Sequence, residues 1–523
     1  MSARSALALT LSLAILGAPL GGAAHAKPKT VGKSKRFEMV LQGAVDLSEG
    51  VAEISAFDPA SQRLFMVDGS AILKVVDLSD PANPVELPGA AIDVDADLFA
   101  HTGIPAAEAN SIAIRNGLMA VAVAADPATD NGFVAFYDTD GTYLYNCRVG
   151  ALPDMLTFAP NGTALLVANE GEPGDAADPE GSISIIDMQS VLRRRNCDDA
   201  RDVHTADFRA FNPARAALIE KGVRLFPGKS VAEDLEPEYI AVSADSRYAW
   251  ATLQEANSLA LVDIPAAEIV DILPLGLKNH RRPDMGLDAS DEDGRIRIRR
   301  WPVYGMYMPD AIASFGRDYL ITANEGDDRG EDERIGDIEL DPAAFRNPAR
   351  LQKEKNLGRL GISSIDGDPD GDGEYEWLQS YGARSFTIWD GRGRKVFDSG
   401  DFIARLTARK APDLFNADNG DPAEFDTRSD NKGAEPEGVV VGRYKGRTLA
   451  FVGLERGPGG AIGLDVTNPN RPRWFDYVRR DNDVSPEGML FISDAESPTG
   501  KPLLVLSHEV GGTVTVYEIS ERK

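Results

Sequence analysis

Residues Leu152–Gly171 read LPDMLTFAPNGTALLVANEG, and this stretch decides the fold. Asp154 opens an alternating apolar run, a Pro-Asn-Gly turn reverses the chain, and a second apolar run ends at Glu170. Apolar runs on both sides of such a turn indicate a β-hairpin. A third run, SISIID, follows after a gap and ends at Asp187. We therefore expect a unit of at least three antiparallel strands.

This unit recurs along the chain. Seven copies are recognisable, beginning near residues 52, 109, 152, 236, 308, 435 and 485. Each third strand ends in an acid that we expect to bind turn amides: Asp77, Asp138, Asp187, Asp263, Asp390, Asp465 and Glu518. A strand-rich unit repeated in this way is typical of a β-propeller. The predicted fold class is all-β, a seven-bladed β-propeller in one domain over residues 37–520.

The last copy stops after its third strand. The segment FEMVLQGAVDL at Phe37–Leu47 alternates well and belongs to no copy, so we predict that it supplies the missing outer strand and closes the ring. A compact blade needs about 40 to 45 residues, and the surplus falls in insertions at about 189–234, 277–307, 326–383 and 402–434. We expect these insertions on one face, with short helices in PARAALIEKG and FIARLTARK.

The composition excludes several classes of protein. The chain has 523 residues, 55 Lys and Arg, 83 Asp and Glu, a formal net charge of −28 and 43% apolar residues. These values argue against a disordered chain, an integral membrane protein and a nucleic-acid binder with a basic surface. We expect a monomer, with no nucleic-acid partner.

Residues 1–26 have the form of a signal peptide. Arg4 precedes an apolar run over residues 6–20, and Ala24-His25-Ala26 resembles a cleavage site. A membrane anchor is the alternative, although the run is shorter than a bilayer needs. We expect periplasmic or extracellular residence, with no later membrane segment and no apolar C-terminal tail. In an oxidising compartment Cys147 and Cys197 could form a disulfide, and two buried thiols are the other interpretation.

Acidic residues recur at two positions of the unit. Because the second strand of a hairpin returns to the end where the first begins, both positions should lie at one mouth of the central channel. The positions opening the first strands are Glu53, Asn110, Asp154, Glu238, Asp310, Glu437 and Glu487. The positions closing the second strands are Asp68, Asp126, Glu170, Glu255, Glu325, Glu455 and Glu509.

A ring of carboxylates needs a positive counterpart. Two unit charges about 7 Å apart repel by roughly 2.4 kcal/mol at an effective dielectric constant near 20. Oxygen ligands without Cys or His favour a hard cation, calcium first, with manganese or magnesium as alternatives. Alternatively, the acids cap turns or pair with Arg and Lys from the insertions.

A second acidic cluster, DGDPDGDGEYE, covers residues 366–376. Its early spacing resembles a calcium loop, although Trp377 stands where a bidentate Glu would close the twelve-residue form. A solvated acidic turn is the alternative. The candidate ligands are Asp366, Asp368, Asp370, Asp372 and Glu374.

Signals for a reaction are weak. The chain contains no GxSxG, no phosphate loop and no HExxH. A metal-dependent phosphoesterase could use the acids as metal ligands with basic groups holding phosphate. The catalytic residues stay unknown, and the candidates are Lys432, Arg384 and His280. Alternatively, the cations neutralise acids and the histidine is structural.

Several stretches resemble the choice-of-anchor I family, which is similar to mesenchyme-specific cell surface glycoproteins. They cover most of the chain and include DLEPEYIAVSAD, WPVYGMYMPDAIASF, YLITANEGDDR, GARSFTIWD, DNKGAEPEGVV and SPEGMLFI. The resemblance implies an exported propeller and, by association with mineral-forming proteins, calcium handling. Some members are labelled alkaline phosphatase-like. We expect a binding module for a small-molecule, phosphate-bearing or protein ligand at the acidic face; the alternatives are an alkaline phosphatase- or phytase-like phosphoesterase and a structural scaffold.

Overall fold

The computed structural model describes residues 30–48 and 51–522. It is all-β, with most strands in four-stranded sheets, and its architecture is propeller-like. The prediction of the all-β class is confirmed. The predicted signal peptide, residues 1–26, lies outside the described residues.

Seven antiparallel sheets follow one another along the described part of the chain, and we number them in that order. Sheet 1 contains Ser55–Asp58, Arg63–Met66, Ile72–Asp77 and Val85–Glu86, with Ile92–Asp93 also paired to its third strand. Sheet 2 contains Ala106–Arg115, Leu118–Ala125, Asn131–Asp138 and Tyr143–Ala151. Sheet 3 contains Pro153–Phe158, Ala164–Asn169, Ser182–Asp187 and Val203–Asp207.

The next three sheets repeat this order. Sheet 4 contains Pro237–Val242, Tyr248–Leu253, Ser258–Asp263 and Glu268–Pro274. Sheet 5 contains Ile312–Phe315, Tyr319–Asn324, Ser385–Asp390 and Lys395–Asp398. Sheet 6 contains Pro436–Tyr444, Arg447–Leu454, Ala461–Asp465 and Arg473–Val478, and Gly32–Lys33 adds a parallel fifth strand.

Sheet 7 combines both ends of the described chain. Its first three strands are Pro486–Ile492, Leu503–His508 and Thr513–Glu521. The fourth is Phe37–Asp46, which pairs antiparallel with Thr513–Glu521, so that Phe37 faces Glu521 and Asp46 faces Thr513. The N-terminal segment therefore provides the outer strand that the sequence predicted.

Apolar side chains fill the spaces between successive sheets. The second strand of sheet 3, Ala164–Asn169, is buried at every position because neighbouring sheets cover both of its faces. Leu64 and Met66 of sheet 1 pack with Val505 and Val516 of sheet 7 in one of these cores. The first strands contact each other in order from sheet 1 to sheet 7, and those of sheets 7 and 1 also touch. The last sheet thus packs on the first.

The predicted insertions contain short elements of their own. Leu277–Asn279 pairs antiparallel with Tyr304–Met306, which pairs in parallel with Gln379–Ser380. Asp332–Arg334 pairs with Gly361–Ser363, and Glu339–Leu340 pairs with Glu374–Tyr375. Trp301, Phe345 and Leu360 belong to a separate small core between these segments. The residues after sheet 4 and those inside sheet 5 therefore pack together.

Helices occupy a minor part of the described chain. Both helices expected in the insertions are present, at Arg215–Lys221 and Phe402–Lys410. The other α-helices are Val94–Thr102, Met188–Arg194, Asp199–Asp202, Val231–Asp234 and Pro348–Leu351. Short 3₁₀ turns cover Pro88–Ala90, Arg209–Ala214, Pro412–Leu414, Asp418–Gly420 and Pro422–Glu424, and a π-helical turn covers Glu354–Gly358. Across residues 30–48 and 51–522, the helices are too short or too polar to cross a bilayer.

Two further expectations concern loops. Acids at the ends of third strands accept hydrogen bonds from turn amides; for example, Oδ1 of Asp187 accepts from Gln189 and Ser190. The prediction is wrong for Glu518, which lies inside the longer strand Thr513–Glu521 and accepts from Lys501 and from the Ser520 hydroxyl. Cys147 and Cys197 form a disulfide with a Cα–Cα distance of 5.5 Å. This bond ties the outer strand of sheet 2 to the segment before the outer strand of sheet 3.

Candidate functional site

The first strands begin with a repeated local structure. In four sheets a residue with positive φ precedes a proline, and the proline precedes the acid; these residues are Leu152 (45°), Met308 (43°), Glu435 (43°) and Ser485 (54°). The left-handed region costs a residue with a Cβ roughly 1 to 2 kcal/mol, and such strain often accompanies functional side chains. The shared turn gives four acids equivalent backbone positions: Asp154, Asp310, Glu437 and Glu487.

These side chains line one internal cavity of about 90 Å³. Asn110 lines it too, so five of the seven opening positions meet there, contributed by sheets 2, 3, 5, 6 and 7. Met155, Tyr239 and Met489 complete part of the wall. Repetition of one unit around the molecule therefore brings together residues that are far apart in the sequence.

Glu238, the opening position of sheet 4, is 8% exposed. Its carboxylate interacts electrostatically with those of Glu255, Asp310 and Glu170. Oε2 of Glu238 has no hydrogen-bond partner among the described residues, and the same holds for Oε2 of Glu437. Buried polar atoms are almost always hydrogen-bonded, so we expect a hydrogen-bond donor or a cation to contact these two oxygens. We refer to Asp154, Glu238, Asp310, Glu437 and Glu487 as the inner acids.

Burial is the main cause that raises the pKa values of the inner acids, and repulsion between carboxylates adds to it. The pKa of Asp154 is raised to about 7, with Glu108 and Glu172 as the repelling neighbours. The pKa values of Glu238, Asp310, Glu437 and Glu487 are raised well above their usual range. The inner acids therefore resist full ionisation at neutral pH unless positive charge is supplied.

Glu53, the opening position of sheet 1, lies beside Glu509 and Asp68. Burial and repulsion from these neighbours raise its pKa to about 7. Asp68 is paired with Lys74 at 3.1 Å. The closing position of sheet 2, Asp126, is exposed.

We refer to the other closing positions, Glu170, Glu255, Glu325, Glu455 and Glu509, as the outer acids. Three of them have cationic partners. Arg329 lies 3.3 Å from Glu255, Lys432 lies 2.7 Å from Glu325, and Arg456 lies 2.7 Å from Glu455. By contrast, the inner acids make no ion pair with any other described residue. The acidic mouth thus has an outer layer that forms ion pairs with protein cations and an inner layer without direct ion pairs among the described residues, on which Lys432 and Arg456 act only at longer range.

The outer layer contains a compact group of three carboxylates. Oxygen atoms of Glu325, Glu435 and Glu455 all lie within 4.8 Å of one another. Lys432 contacts Glu435 at 3.8 Å, and Arg428 contacts it at 2.6 Å. This group could hold a metal ion only by competing with those cations. Sequence reasoning missed Glu435, although its position before the Pro-acid pair of sheet 6 was a usable signal.

The insertions supply most of these cations. Arg329, between the second and third strands of sheet 5, contacts Asp234 at 3.0 Å and also pairs with Glu236. Its guanidinium lies 4.7 Å from the ring centre of Phe226. Burial raises the pKa of Glu236 to about 8, even though Arg329 opposes that shift. The cations therefore come from chain segments whose position no local pattern predicts.

The three catalytic candidates do not lie together. Lys432 is at the outer acids, whereas His280 and Arg384 line a separate cavity of about 20 Å³. Arg384 donates to the backbone carbonyls of Asp288 (2.7 Å), Ser429 (3.0 Å) and Asn431.

His280 Nδ1 lies 2.6 Å from the carbonyl oxygen of Met285. Burial and the nearby Lys278 lower the pKa of His280 to about 3, so its ring is neutral at physiological pH. The Lys278 ammonium donates to the carbonyls of Ala383 (2.7 Å) and Gly400 (2.8 Å). In this region the buried side chains of Arg384, Lys278 and His280 therefore contact backbone carbonyls of the loops.

The second acidic cluster is only partly assembled. Oxygen atoms of Asp368, Asp370 and Glu376 lie within 4.8 Å of one another. Asp366 instead accepts from Arg224 at 2.7 Å. Asp372 accepts from the backbone N–H of Glu374, and Asp368 accepts from Gly371 and Gly373. Two of the five predicted ligands, with Glu376 added, thus form a carboxylate group.

The chain is similar to one protein family and to several known proteins. Residues 53–469 match the family model described as the Choice-of-anchor I domain. Gigasin-3a of Magallana gigas is 28% identical over 200 residues, covering 34% of this chain and 69% of that protein. The mesenchyme-specific cell surface glycoprotein of Strongylocentrotus purpuratus is 27% identical over 327 residues, covering 54% of this chain and 40% of that protein.

The matched region thus spans about two fifths of the glycoprotein. Among solved structures, the hydrazine synthase of Kuenenia stuttgartiensis aligns with a TM-score of 0.46 and 12% identity, covering 90% of this chain and 96% of that chain. A likeness at that TM-score supports no inference about this chain.

Proposed function

Because the chain belongs to the choice-of-anchor I family, we propose that it is an exported binding module whose inner acids hold a divalent cation. Calcium is the preferred ion, with manganese or magnesium as alternatives. The family and its cell-surface relative fit an extracellular interaction module. The single observation that carries the cation is the buried Oε2 of Glu238, which lacks a hydrogen-bond partner within the described chain while neighbouring carboxylates surround it.

The proposal includes the ring itself, in which the seven sheets are the blades of one closed propeller. Contacts between successive first strands support this arrangement, as do the apolar core between sheets 7 and 1 and the pairing of Phe37–Asp46 with Thr513–Glu521. Closure leaves four of the inner acids, Asp154, Asp310, Glu437 and Glu487, facing one axial cavity, and the fifth, Glu238, interacts electrostatically with Asp310. It also removes the exposed sheet edges that an open arrangement would present.

The charge balance favours a cation over a purely structural role. Lys and Arg side chains form ion pairs with three outer acids. Within residues 30–48 and 51–522, none of them forms an ion pair with an inner acid. The cavity of about 90 Å³ is several times the roughly 10 to 15 Å³ that a cavity needs to hold one water. It therefore has room for an ion together with water.

The donor set fits calcium best. Carboxylates and the Asn110 side chain offer only oxygen, which hard cations prefer. Calcium accepts six to eight oxygen ligands in flexible geometry, whereas magnesium demands a near-ideal octahedron. Side chains contributed by five or six separate sheets fit the flexible arrangement more readily. A bound ion could present open coordination positions to a carboxylate- or phosphate-bearing ligand at the mouth.

Binding is favoured over phosphate ester hydrolysis by the placement of the candidate bases and cations. The Arg384 guanidinium is occupied by three backbone carbonyls. His280 lies in the same separate cavity, and its pKa is far below neutrality. Only Lys432 is near the acids, and it is paired with Glu325. These groups are therefore in structural contacts and do not form a phosphate-binding cluster.

Calorimetric titration with calcium, magnesium and manganese tests the proposal. The wild-type protein should take up calcium. The Glu238→Gln and Glu437→Gln variants should bind it at least about tenfold more weakly, because each loses a charged ligand. Glu220→Gln removes one charge from an exposed helix and serves as the matched control. Absence of calcium uptake, or equal uptake by all variants, would contradict the proposal and favour a structural scaffold.

A further inference from the structure

A groove lies at the end of sheets 4 and 5 opposite to the acidic mouth. It consists of two adjoining cavities of about 540 and 550 Å³, which share Trp250, Arg317 and Asp318. Arg317 and Asp318 form the turn between the first and second strands of sheet 5. Because that turn is at the far end of the hairpin from Asp310 and Glu325, the groove and the inner acids occupy opposite faces.

Unpaired arginines converge on this groove. Arg317, Arg392 and Arg443 line it and are exposed. Their guanidinium groups make no ion pair or hydrogen bond with other residues of the described chain. A fourth arginine, Arg394, is paired with Asp390 at 2.7 Å. Free guanidinium groups clustered in this way are available to an external anion.

The carboxylates that line the groove offset only part of the positive charge of these arginines. Glu496 accepts a hydrogen bond from Ser493, which also lines the groove, at 2.6 Å. The Asp318 carboxylate, which also lines the groove, makes no hydrogen bond or ion pair with other residues of the described chain. Three arginines without an ion pair therefore face two carboxylates, Asp318 and Glu496, that no cation of the described residues neutralises, in a protein whose formal net charge is −28. The groove is locally positive on a strongly negative molecule.

Flat aromatic surfaces accompany the arginines. Tyr248, Phe315 and Tyr319 are half-buried and line the groove. Phe315 and Tyr319 stack with their ring centres 5.7 Å apart. The Trp250 indole N–H donates to the carbonyl of Gly391 at 3.0 Å, which fixes its orientation. The groove thus combines rigid apolar planes with cationic donors.

We propose that this groove binds an acidic oligosaccharide, a chain of sugar rings that carries carboxylate or sulfate groups. Guanidinium groups bind such oxyanions through paired, charge-assisted hydrogen bonds. Aromatic rings give apolar contact area at low entropic cost, as they do in other recognition surfaces, and can lie against the apolar faces of sugar rings. The length of two adjoining cavities suits an extended ligand.

Other classes of ligand fit less well. An extended peptide that binds by adding a strand needs a free sheet edge, and this groove is lined mainly by strand ends and turns such as Arg317–Asp318 and Gly391–Arg394. An acidic peptide that binds to an arginine cluster is distinguished by the oligoglutamate titration below. A nucleic-acid strand that extends beyond the groove would be repelled by the overall negative charge, whereas a short acidic oligosaccharide can keep its anionic groups within the groove. An acidic glycan needs neither a free edge nor a basic protein.

Calorimetry on the full exported chain in the presence of EDTA tests this site. The titrants are an oligogalacturonate, a heparin-derived oligosaccharide, a neutral maltooligosaccharide and an oligoglutamate. We expect at least one of the two acidic glycans to bind, with salt weakening the interaction, and the neutral glycan not to bind. Arg317→Gln combined with Arg443→Gln should weaken binding by about tenfold or more.

Two control variants make the outcome unambiguous. Arg409→Gln removes an exposed arginine from helix Phe402–Lys410 and should leave affinity unchanged. Glu238→Gln tests the acidic mouth and should also bind normally, so failure of the cation proposal would not affect this one. Four results would overturn the proposal for this groove. They are no binding of either acidic glycan, binding of the neutral glycan as strong as that of the acidic glycans, binding of oligoglutamate as strong as that of the acidic glycans, or glycan binding that requires calcium and Glu238.

Discussion

The ammonium nitrogen of Lys432 lies 2.7 Å from Oε1 of Glu325. The lysine comes from the segment before sheet 6, and the glutamate directly follows the second strand of sheet 5, Tyr319–Asn324. The same ammonium lies 3.8 Å from Glu435, so it occupies a position within the three-carboxylate group of the outer layer. Lys432 therefore acts as a built-in counter-ion beside the inner acids.

Removing the Lys432 ammonium should lower the stability of the protein. Lys432→Gln leaves Glu325 and Glu435 without their shared ammonium, and loss of one partner of a largely buried ion pair typically costs about 3 kcal/mol. Urea unfolding should show that loss, and calcium should restore part of it by replacing the ammonium. Lys410→Gln, at an exposed helix end, is the control. Unchanged stability of Lys432→Gln in EDTA would show that the pair is energetically unimportant.

The raised pKa values predict an unusual dependence of stability on pH. The pKa of Asp154 is about 7 in the folded protein, against an ordinary value of 3.8, and that of Glu455 is about 8, against 4.5. Between these limits the folded state holds protons that the unfolded state has released, so the free energy of unfolding falls as pH rises. Without metal, the melting temperature should decrease from about pH 4 to about pH 8.

Calcium should reverse this trend, because it binds the ionised carboxylates and should therefore bind more tightly as pH rises through the same interval. Melting curves in EDTA and in calcium at several pH values test both statements. Glu238→Gln should flatten the calcium effect. A melting temperature that rises steadily with pH in EDTA would contradict the assigned pKa directions.

The disulfide should contribute measurably to stability. Cys147 and Cys197 are separated by 50 residues, and closure of such a loop is worth about 4 kcal/mol in the chain-entropy model. Urea unfolding of the Cys147→Ser, Cys197→Ser double variant should show a loss of that order. Adding reductant should destabilise the wild-type protein and leave the double variant unaffected. Equal stability with and without reductant would mean that the bond carries no net stabilisation.

Arg384 should behave as a structural residue. Its guanidinium donates to carbonyls from two separate loops, those of Asp288 and of Ser429 and Asn431, and an ammonium cannot match that planar arrangement. Arg384→Lys should lower the free energy of unfolding by about 1 to 3 kcal/mol. Calcium affinity should stay unchanged, because Arg384 lines the cavity with His280 and not the one with the inner acids. Altered calcium affinity at unchanged stability would contradict this assignment.

The sequence predicted elements whose cause is local. Alternating apolar residues and turn residues predicted the hairpin of Pro153–Phe158 and Ala164–Asn169, and the same pattern identified Phe37–Asp46 as a strand. Repetition also placed Asp154 and Glu437 at equivalent positions, and both line the cavity. Periodicity and copy number suffice for such inferences.

Sequence periodicity could not predict contacts between distant segments of the chain. No local pattern indicates that Arg329 reaches Glu255 or that Arg384 binds loop carbonyls, because insertions fold against one another in ways that spacing does not encode. The acidic loop shows the same limit: Asp366 turns to Arg224, and Glu376 joins Asp368 and Asp370. Position along the chain did not determine which carboxylates meet.

The central claim is that the inner acids hold a cation, and a crystal structure of the protein grown with manganese or calcium tests it most directly. We predict an anomalous difference peak at the axial cavity, coordinated by oxygens of Asp310 and Glu437, which line it, and of the neighbouring Glu238. A cavity holding only water at saturating metal would contradict the account, as would a peak confined to Glu325, Glu435 and Glu455.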